Sequence, residues 1–211
     1  ATLCAQFKFR NAGQVCIAPN RFYVHESKAE QFIGKMVETA LALVVGDSQA
    51  ADSDMGLITL ASQRARIESL IADTIKSGAK LETGGGRPAH LNSGYYIEPT
   101  IFSHVPDDAR IMHEEPFGPV APIATFRSLD DAIDRANSTP YGLAAYAFTG
   151  SHATAEILSK GLHAGMVGVN NFMVAHAEVP FGGVDHSGMG REGGRQSIHD
   201  YLNAKMTHFT W

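Results

Sequence analysis

The stretch Val120-Ala121-Pro122-Ile123-Ala124-Thr125-Phe126-Arg127-Ser128-Leu129-Asp130-Asp131-Ala132-Ile133-Asp134-Arg135-Ala136-Asn137 sets two elements of different period side by side. Val120 to Phe126 is a short, nearly unbroken apolar run, the pattern of a strand buried on both faces. Ser128 before a pair of acids is a helix-start signal, and it predicts a helix to Asn137. The alternation then repeats. Leu143 to Phe148 reads as a strand, Ser151 opens a helix to about Leu162, and Met166 to Asn170 reads as the next strand. Upstream, Arg21-Phe22-Tyr23-Val24-His25 alternates as a strand does, and Ser27-Lys28-Ala29-Glu30 has the form of a capping box. The helix it opens runs to about Val45, with Phe32, Ile33, Met36, Val37, Ala40, Leu43 and Val44 at helical spacing. A second helix is predicted over Ala61–Lys76, with Ile67, Leu70, Ile71 and Ile75 turned inward and Gly78 as its cap. Lys80-Leu81-Glu82 reads as a short strand before the Gly84-Gly85-Gly86 loop, and Tyr95 to Glu98 and Thr100 to Phe102 are extended on either side of Pro99. Strands alternating with helices imply an α/β fold of three layers, a largely parallel sheet with helices on both faces. In such folds sites lie beyond the carboxyl ends of strands.

With 211 residues, 44% of them hydrophobic, the chain can bury a substantial core. A formal net charge of -5, with no run of Lys or Arg, offers nothing to nucleic-acid phosphates or an anionic membrane, so neither partner is expected. No apolar run approaches the length of a membrane span, and the first residues lack the pattern of a signal peptide. The two cysteines, Cys4 and Cys16, form no disulfide framework, which fits a reducing, cytoplasmic setting. Ala1-Thr2-Leu3-Cys4 has no cap signal ahead of it, the expectation for a chain that opens inside a helix of a longer protein. At the other end Ala204 to Trp211 alternates polar and apolar residues. It reads either as an edge strand of the same sheet or as a strand that pairs with another subunit.

Three constellations carry chemistry. Cys16, in Asn11-Ala12-Gly13-Gln14-Val15-Cys16-Ile17-Ala18-Pro19, follows a glycine that permits a tight backbone path, so its thiol and its own N–H can face a bound carbonyl. A small buried hydrophobe is the plain alternative for any cysteine, and it is the reading for Cys4. The second is His113-Glu114-Glu115-Pro116-Phe117-Gly118-Pro119, two carboxylates ahead of the buried strand at Val120. Such a pair is either a solvated surface feature or an acceptor for a ribose diol, with the Phe117 ring packing on a flat heterocycle. The third is the glycine-rich stretch Val179 to Gly193. Its Gly188-Met189-Gly190-Arg191-Glu192-Gly193 matches G-x-G-x-x-G but follows a polar loop rather than a strand, so it is read as a loop and not a dinucleotide fingerprint. The ten histidines make no H-x-H or H-E-x-x-H spacing, and no metal is expected. A cysteine hydrolase would need one of those histidines as base, and no signature selects one.

Taken in order, the three sites resemble the aldehyde dehydrogenase superfamily across nearly the whole chain. Gly13-Gln14-Val15-Cys16 is similar to its active-site cysteine motif and Glu115-Pro116-Phe117-Gly118-Pro119 to its cofactor-ribose motif. Pro180-Phe181-Gly182-Gly183, with Ser187-Gly188 and Gly190-Arg191-Glu192, is similar to its C-terminal signature, and Tyr141-Gly142-Leu143-Ala144 also fits. The resemblance implies that Cys16 attacks an aldehyde to form a thiohemiacetal, that hydride passes to NAD or NADP, and that water cleaves the remaining thioester. Glu115 would then hold the nicotinamide-side ribose and Phe117 would pack near that ring. It further implies that residues 1–203 are a catalytic domain whose partner, an N-terminal dinucleotide-binding domain carrying the general base and an oxyanion-hole asparagine, is missing from this chain. The chain alone is then expected to be inactive, and residues 204–211 to be an oligomerisation strand of a homo-oligomer. A non-catalytic assembly or regulatory module that keeps the same fold is the competing reading.

Arg10 is similar to an arginine of the succinate-semialdehyde dehydrogenase branch that grips the substrate's distal carboxylate, a task suited to a guanidinium fork. Its plain alternative is a helix cap. The serine that assists it in that branch is matched here by Ala175, with His176 beside it. Ala18 stands where some relatives carry a second cysteine, so no disulfide switch at Cys16 is expected.

Overall fold

The computed structural model describes residues 1–211, which pack as two compact units, Ala1–Ala136 and Asn137–Trp211. The first unit opens with α1 (Thr2–Phe9), followed by β1 (Phe22–His25), α2 (Ala29–Leu41), α3 (Ala61–Lys76), β2 (Lys80–Thr83), β3 (Thr100–Ser103), β4 (Val120–Phe126) and α4 (Leu129–Ala136). Its four strands form one sheet in the order β1-β4-β3-β2, parallel at β1–β4 and β3–β4 and antiparallel at β2–β3. β4 is central, and Val120 to Ala124 are all buried, as its apolar run requires. Helices α1, α2 and α4 pack against this sheet. Ser128 caps α4 by accepting the Asp131 N–H at 3.2 Å.

Two expected helices differ in detail. The helix predicted from Ser27 begins instead at Ala29, after a 3₁₀ turn over Glu26–Lys28, because the His25 ring nitrogen takes the Ser27 N–H at 3.3 Å. It also ends at Leu41 rather than Val45. Val44 is drawn out of the helix by Asp54, whose carboxylate accepts its N–H at 2.9 Å, and Val45 bridges to Met55. α3 spans the predicted residues, with Ile67, Leu70 and Ile71 buried. Ile75 is not in the core but 48% exposed; Thr74 is buried in its place, its hydroxyl bonded to the Leu70 carbonyl at 2.7 Å. Tyr95 to Glu98 forms no strand.

The second unit contains β5 (Tyr141–Gly142), β6 (Ala144–Ala147), α5 (His152–Gly161), β7 (Met166–Val169) and β8 (Val184–Asp185). β6 and β7 pair in parallel, and β5 pairs antiparallel with β8. Ser151 caps α5 through the Thr154 N–H. A 3₁₀ helix covers Gln196–Tyr201. Beyond it, Ala204 to Trp211 is exposed and pairs with no strand of the chain, so the edge-strand expectation fails. No helix is long and apolar enough to cross a membrane.

Candidate active site

Cys16 sits at the end of an unusual piece of backbone. After α1, Asn11, Ala12 and Gly13 are all left-handed, at φ of 52°, 53° and 71°. For a residue with a Cβ this conformation costs roughly 1–2 kcal/mol, so local bonds must hold it. Asn11 and Gln14 supply them reciprocally: the Gln14 N–H and side-chain amide reach the Asn11 carbonyl at 3.0 and 3.2 Å, and the Asn11 amide reaches the Gln14 carbonyl at 2.9 Å. Gln14 also reaches across to a distant segment. Its Oε1 accepts from the Thr59 N–H and hydroxyl at 3.0 and 3.1 Å, and its Nε2 donates to the Leu57 carbonyl at 3.1 Å. The next four residues form a turn closed by the Ala18 N–H on the Val15 carbonyl at 2.9 Å, with Cys16 inside it. Ile17 and Ala18 are buried and anchor that turn; Cys16 is exposed, and its N–H donates to no protein acceptor. Cys4, by contrast, is buried, and burial pushes its thiol up from the ordinary value.

Gly13 joins this loop to the second constellation. A Cβ there would lie 2.1 Å from the Gly118 carbonyl oxygen and 3.0 Å from the Pro119 nitrogen, so the two backbones touch where no side chain fits. The turn Glu115-Pro116-Phe117 is held from α3. Gln63 Nε2 donates to the Pro116 and Phe117 carbonyls at 3.0 and 3.2 Å, and Arg66 donates to the carbonyls of Glu115 and Pro116. Phe117 is left-handed at φ 41° and half-buried. Neither Gln63 nor Arg66 stands out in the sequence, since each is one polar residue on an amphipathic helix.

The two adjacent carboxylates separate cleanly. Glu114 accepts from Arg110 Nε at 2.6 Å and lies 3.5 Å from Arg66, and Arg110 also pairs with Asp73 at 2.9 Å. The Arg110 hydrogen bond holds the Glu114 carboxyl below its ordinary value, against a smaller upward push from burial. Glu115 is exposed, and its carboxylate has no hydrogen-bond or ion-pair partner. One acid is spent on holding the turn; the other is free to accept hydroxyls.

Arg10 ends α1, but its guanidinium does not cap the helix. The backbone N–H makes the cap bond to the Gln6 carbonyl, while the side chain is exposed and lies 5.2 Å over the Phe7 ring. Ala175 and His176 belong to the second unit. Both are exposed, and His176 Nε2 lies 3.2 Å from the Met173 carbonyl. The glycine-rich stretch beyond them is stitched locally by Phe181 and Glu192, which exchange backbone bonds at 2.7 Å, by Gly194 on the Ala177 carbonyl, and by Arg191 on the carbonyls of Gly183 and Gly190. No three His, Cys, Asp or Glu side chains converge as metal ligands.

Residues 1–207 of the chain match one family model, described as the aldehyde dehydrogenase family. The chain belongs to that family. It is 42% identical over 207 residues to 4-(hydroxymethyl)benzenesulfonate dehydrogenase of Comamonas testosteroni, covering 98% of this chain and 42% of that protein. Succinate-semialdehyde dehydrogenase from Burkholderia pseudomallei superposes with a TM-score of 0.91 at 37% identity, over 95% of this chain and 41% of that one. A Mycobacterium tuberculosis aldehyde dehydrogenase complexed with NAD+ gives 0.89 at 33% identity, over 94% and 41%. The chain therefore spans about two fifths of the length of these relatives.

Proposed function

We propose that this chain is the thiol-bearing part of an NAD(P)-dependent aldehyde dehydrogenase that oxidises a carboxylate-tailed semialdehyde, such as succinate semialdehyde, to the acid. The observation that carries the reading is the seating of Gly13 on Gly118, which brings the exposed Cys16 turn and the free Glu115 carboxylate together. Cys16 Sγ adds as a thiolate to the aldehyde carbon, and the carbonyl electron pair moves to oxygen. The unpaired Cys16 N–H donates to that oxygen, a contribution of about 3 kcal/mol in comparable sites. Collapse of the oxyanion expels hydride from the same carbon and leaves a thioester, which water cleaves to the acid and the free thiol. Bound NAD or NADP supplies the two-electron acceptor. The residues fit such a group: Glu115 has both carboxylate oxygens open for ribose hydroxyls, and Phe117 is fixed beside it by Gln63. Arg10 is exposed and open to an anionic tail. The substrates in the names of two relatives, a benzenesulfonate and succinate semialdehyde, each carry an anionic acid group, which supports this substrate class.

On this reading residues 1–203 are the catalytic domain, residues 204–211 an assembly strand of a homo-oligomer, and a dinucleotide-binding domain and general base complete the cytoplasmic enzyme. The test is alkylation of Cys16 and Cys4 by iodoacetamide near neutral pH, read by peptide mass spectrometry. Cys16 should label at least tenfold faster, and succinate semialdehyde should slow it more than an uncharged aldehyde of equal length. Equal labelling of the two thiols would sink the nucleophile assignment, and equal protection by the two aldehydes would sink the acid-tail assignment.

A further inference from the structure

Lys8 is buried with no exposure at all, and its Nζ has no hydrogen-bond partner. An ammonium in that place is costly, and its surroundings offer little to offset it. Lys8 stands on the inner face of α1 with Cys4, Ala5 and Phe9, and α1 packs on α2 and β4. Those two elements bury apolar faces, Met36 and Ala40 on α2 and Val120 to Ala124 on β4. The charged side chains of α2, Glu30, Lys35 and Glu38, are exposed, and Lys35 pairs with Glu38 at 2.8 Å. β4 has no titratable residue. Arg10, in the turn after α1, is exposed over the Phe7 ring. On α1 itself the other titratable groups are the buried Cys4 thiol and the Ala1 amino group. Exposed Glu115 favours the ammonium, but burial outweighs it.

The place of Lys8 in the chain gives that imbalance a consequence. α1 runs straight into the loop that presents Cys16: the Arg10 N–H makes its cap bond to the Gln6 carbonyl, and left-handed Asn11 and Ala12 follow at once. Ala12 is buried, and the Asn11 carbonyl takes the Gln14 N–H at 3.0 Å. Left-handed backbone persists only where its surroundings fix it. A shift of α1 carries Asn11 with it and breaks the hold on Gln14.

We propose that Lys8 makes α1 a proton-operated latch for the Cys16 loop: a neutral amine lets the helix stay seated, and taking up a proton draws Lys8 to water, unseats α1 and frees the loop. Burial pushes the Lys8 ammonium down to about 7 in the seated helix, whereas an unseated Lys8 regains its ordinary 10.5. Opening therefore grows about tenfold for each pH unit from 10.5 down to about 7, and levels off below. Cys4 opposes this trend. Burial holds its thiol above the ordinary 9.0, so its ionisation favours opening as pH rises rather than falls.

Cys4 reports the latch within this chain, because it rides on α1 and is covered when the helix is seated. Its labelling by 4,4′-dithiodipyridine is read by peptide mass spectrometry at pH 6 and pH 9, each rate divided by that of the urea-unfolded chain at the same pH. The normalised rate should be more than tenfold higher at pH 6, and in Lys8→Met it should be low and equal at both. Amide hydrogen exchange locates the opening. Protection of the α1 amides and of Gln14 should fall at pH 6 while the β4 amides stay protected. Equal normalised Cys4 rates at the two pH values in the wild-type chain would overturn the latch, whether or not Lys8→Met folds. A rise that persists in Lys8→Met belongs to another titrating group and would overturn it too, as would a loss of protection in β4 that matches that in α1, which is global unfolding. Opening of α1 with Gln14 still protected would overturn the link to the Cys16 loop. None of these readouts uses the Cys16 thiol, so its assignment as the nucleophile stands or falls separately.

Discussion

The loop around Gly13 and the loop around Gly188 both pass through left-handed backbone, yet they use their glycines differently. In the first unit Gly13 allows two backbones from opposite ends of the unit to touch, with the Gly118 carbonyl 2.1 Å from where a Cβ would stand. In the second unit the loop around Gly188 is tied to the Pro140–Gly142 segment through His186, Ser187 and β8, while Gly188 itself faces open space. The first glycine is pressed against a second backbone beside candidate site residues; the second, Gly188, is opposed by nothing. Strain is spent where a reactive group must be fixed in place.

The sharpest way to break the comparison is to give both glycines a methyl group. Gly13→Ala must drive a methyl into the Gly118 carbonyl at φ +71°, combining overpacking with left-handed strain for a loss of about 2–5 kcal/mol. Its apparent melting temperature should fall by roughly 5–15 °C, and Cys16 should lose its advantage in alkylation over Cys4. Gly188→Ala meets only a φ of +107° in open space, and should cost about 1 kcal/mol with Cys16 labelling unchanged. Comparable losses from the two variants would mean that the contact between the loops is not what organises the site.

Gln14→Ala comes next in size. It removes the bonds to Leu57 and Thr59 and one of the three that brace Asn11, leaving half-exposed backbone groups for water to satisfy. The expected cost is about 1–2 kcal/mol, with hydrogen exchange at Thr59 accelerated. Unchanged exchange at Thr59 would show that the strained loop holds without this brace.

What was legible in the sequence divides between local and distant. The boundaries of α3 and β4 come directly from helical periodicity and a buried apolar run, and Ser128 and Ser151 announce α4 and α5 because a cap needs only neighbours three residues away. Cys16, Glu115 and Phe117 were visible as motifs, but their meeting through Gly13 and Gly118 spans a hundred residues and leaves no local signal. Gln63 and Arg66 look like any polar residues on an amphipathic helix. At the tail only one of two readings, the edge strand of the same sheet, fails. Alternation from Ala204 to Trp211 is a real local pattern, yet a strand exists only with a neighbour to pair with, and this chain offers none.

The smallest expected effect concerns the paired carboxylate rather than the free one. Glu114 is held below its ordinary value of 4.5 by Arg110, so its contribution to stability is complete above about pH 4.5 and is lost as pH falls through the lowered value. The pair is largely solvent-exposed and screened, which keeps the contribution to a few tenths of a kcal/mol and makes it salt-sensitive. Glu114→Gln should therefore leave stability near neutrality almost unchanged and flatten part of the acid-side decline. Acid unfolding curves of Glu114→Gln and the wild-type protein at low and at 0.5 M salt measure this. If the acid limb of Glu114→Gln matches the wild-type limb at low salt, the Arg110 pair does not hold the Glu114 carboxyl down and the turn is braced by Gln63 and Arg66 alone.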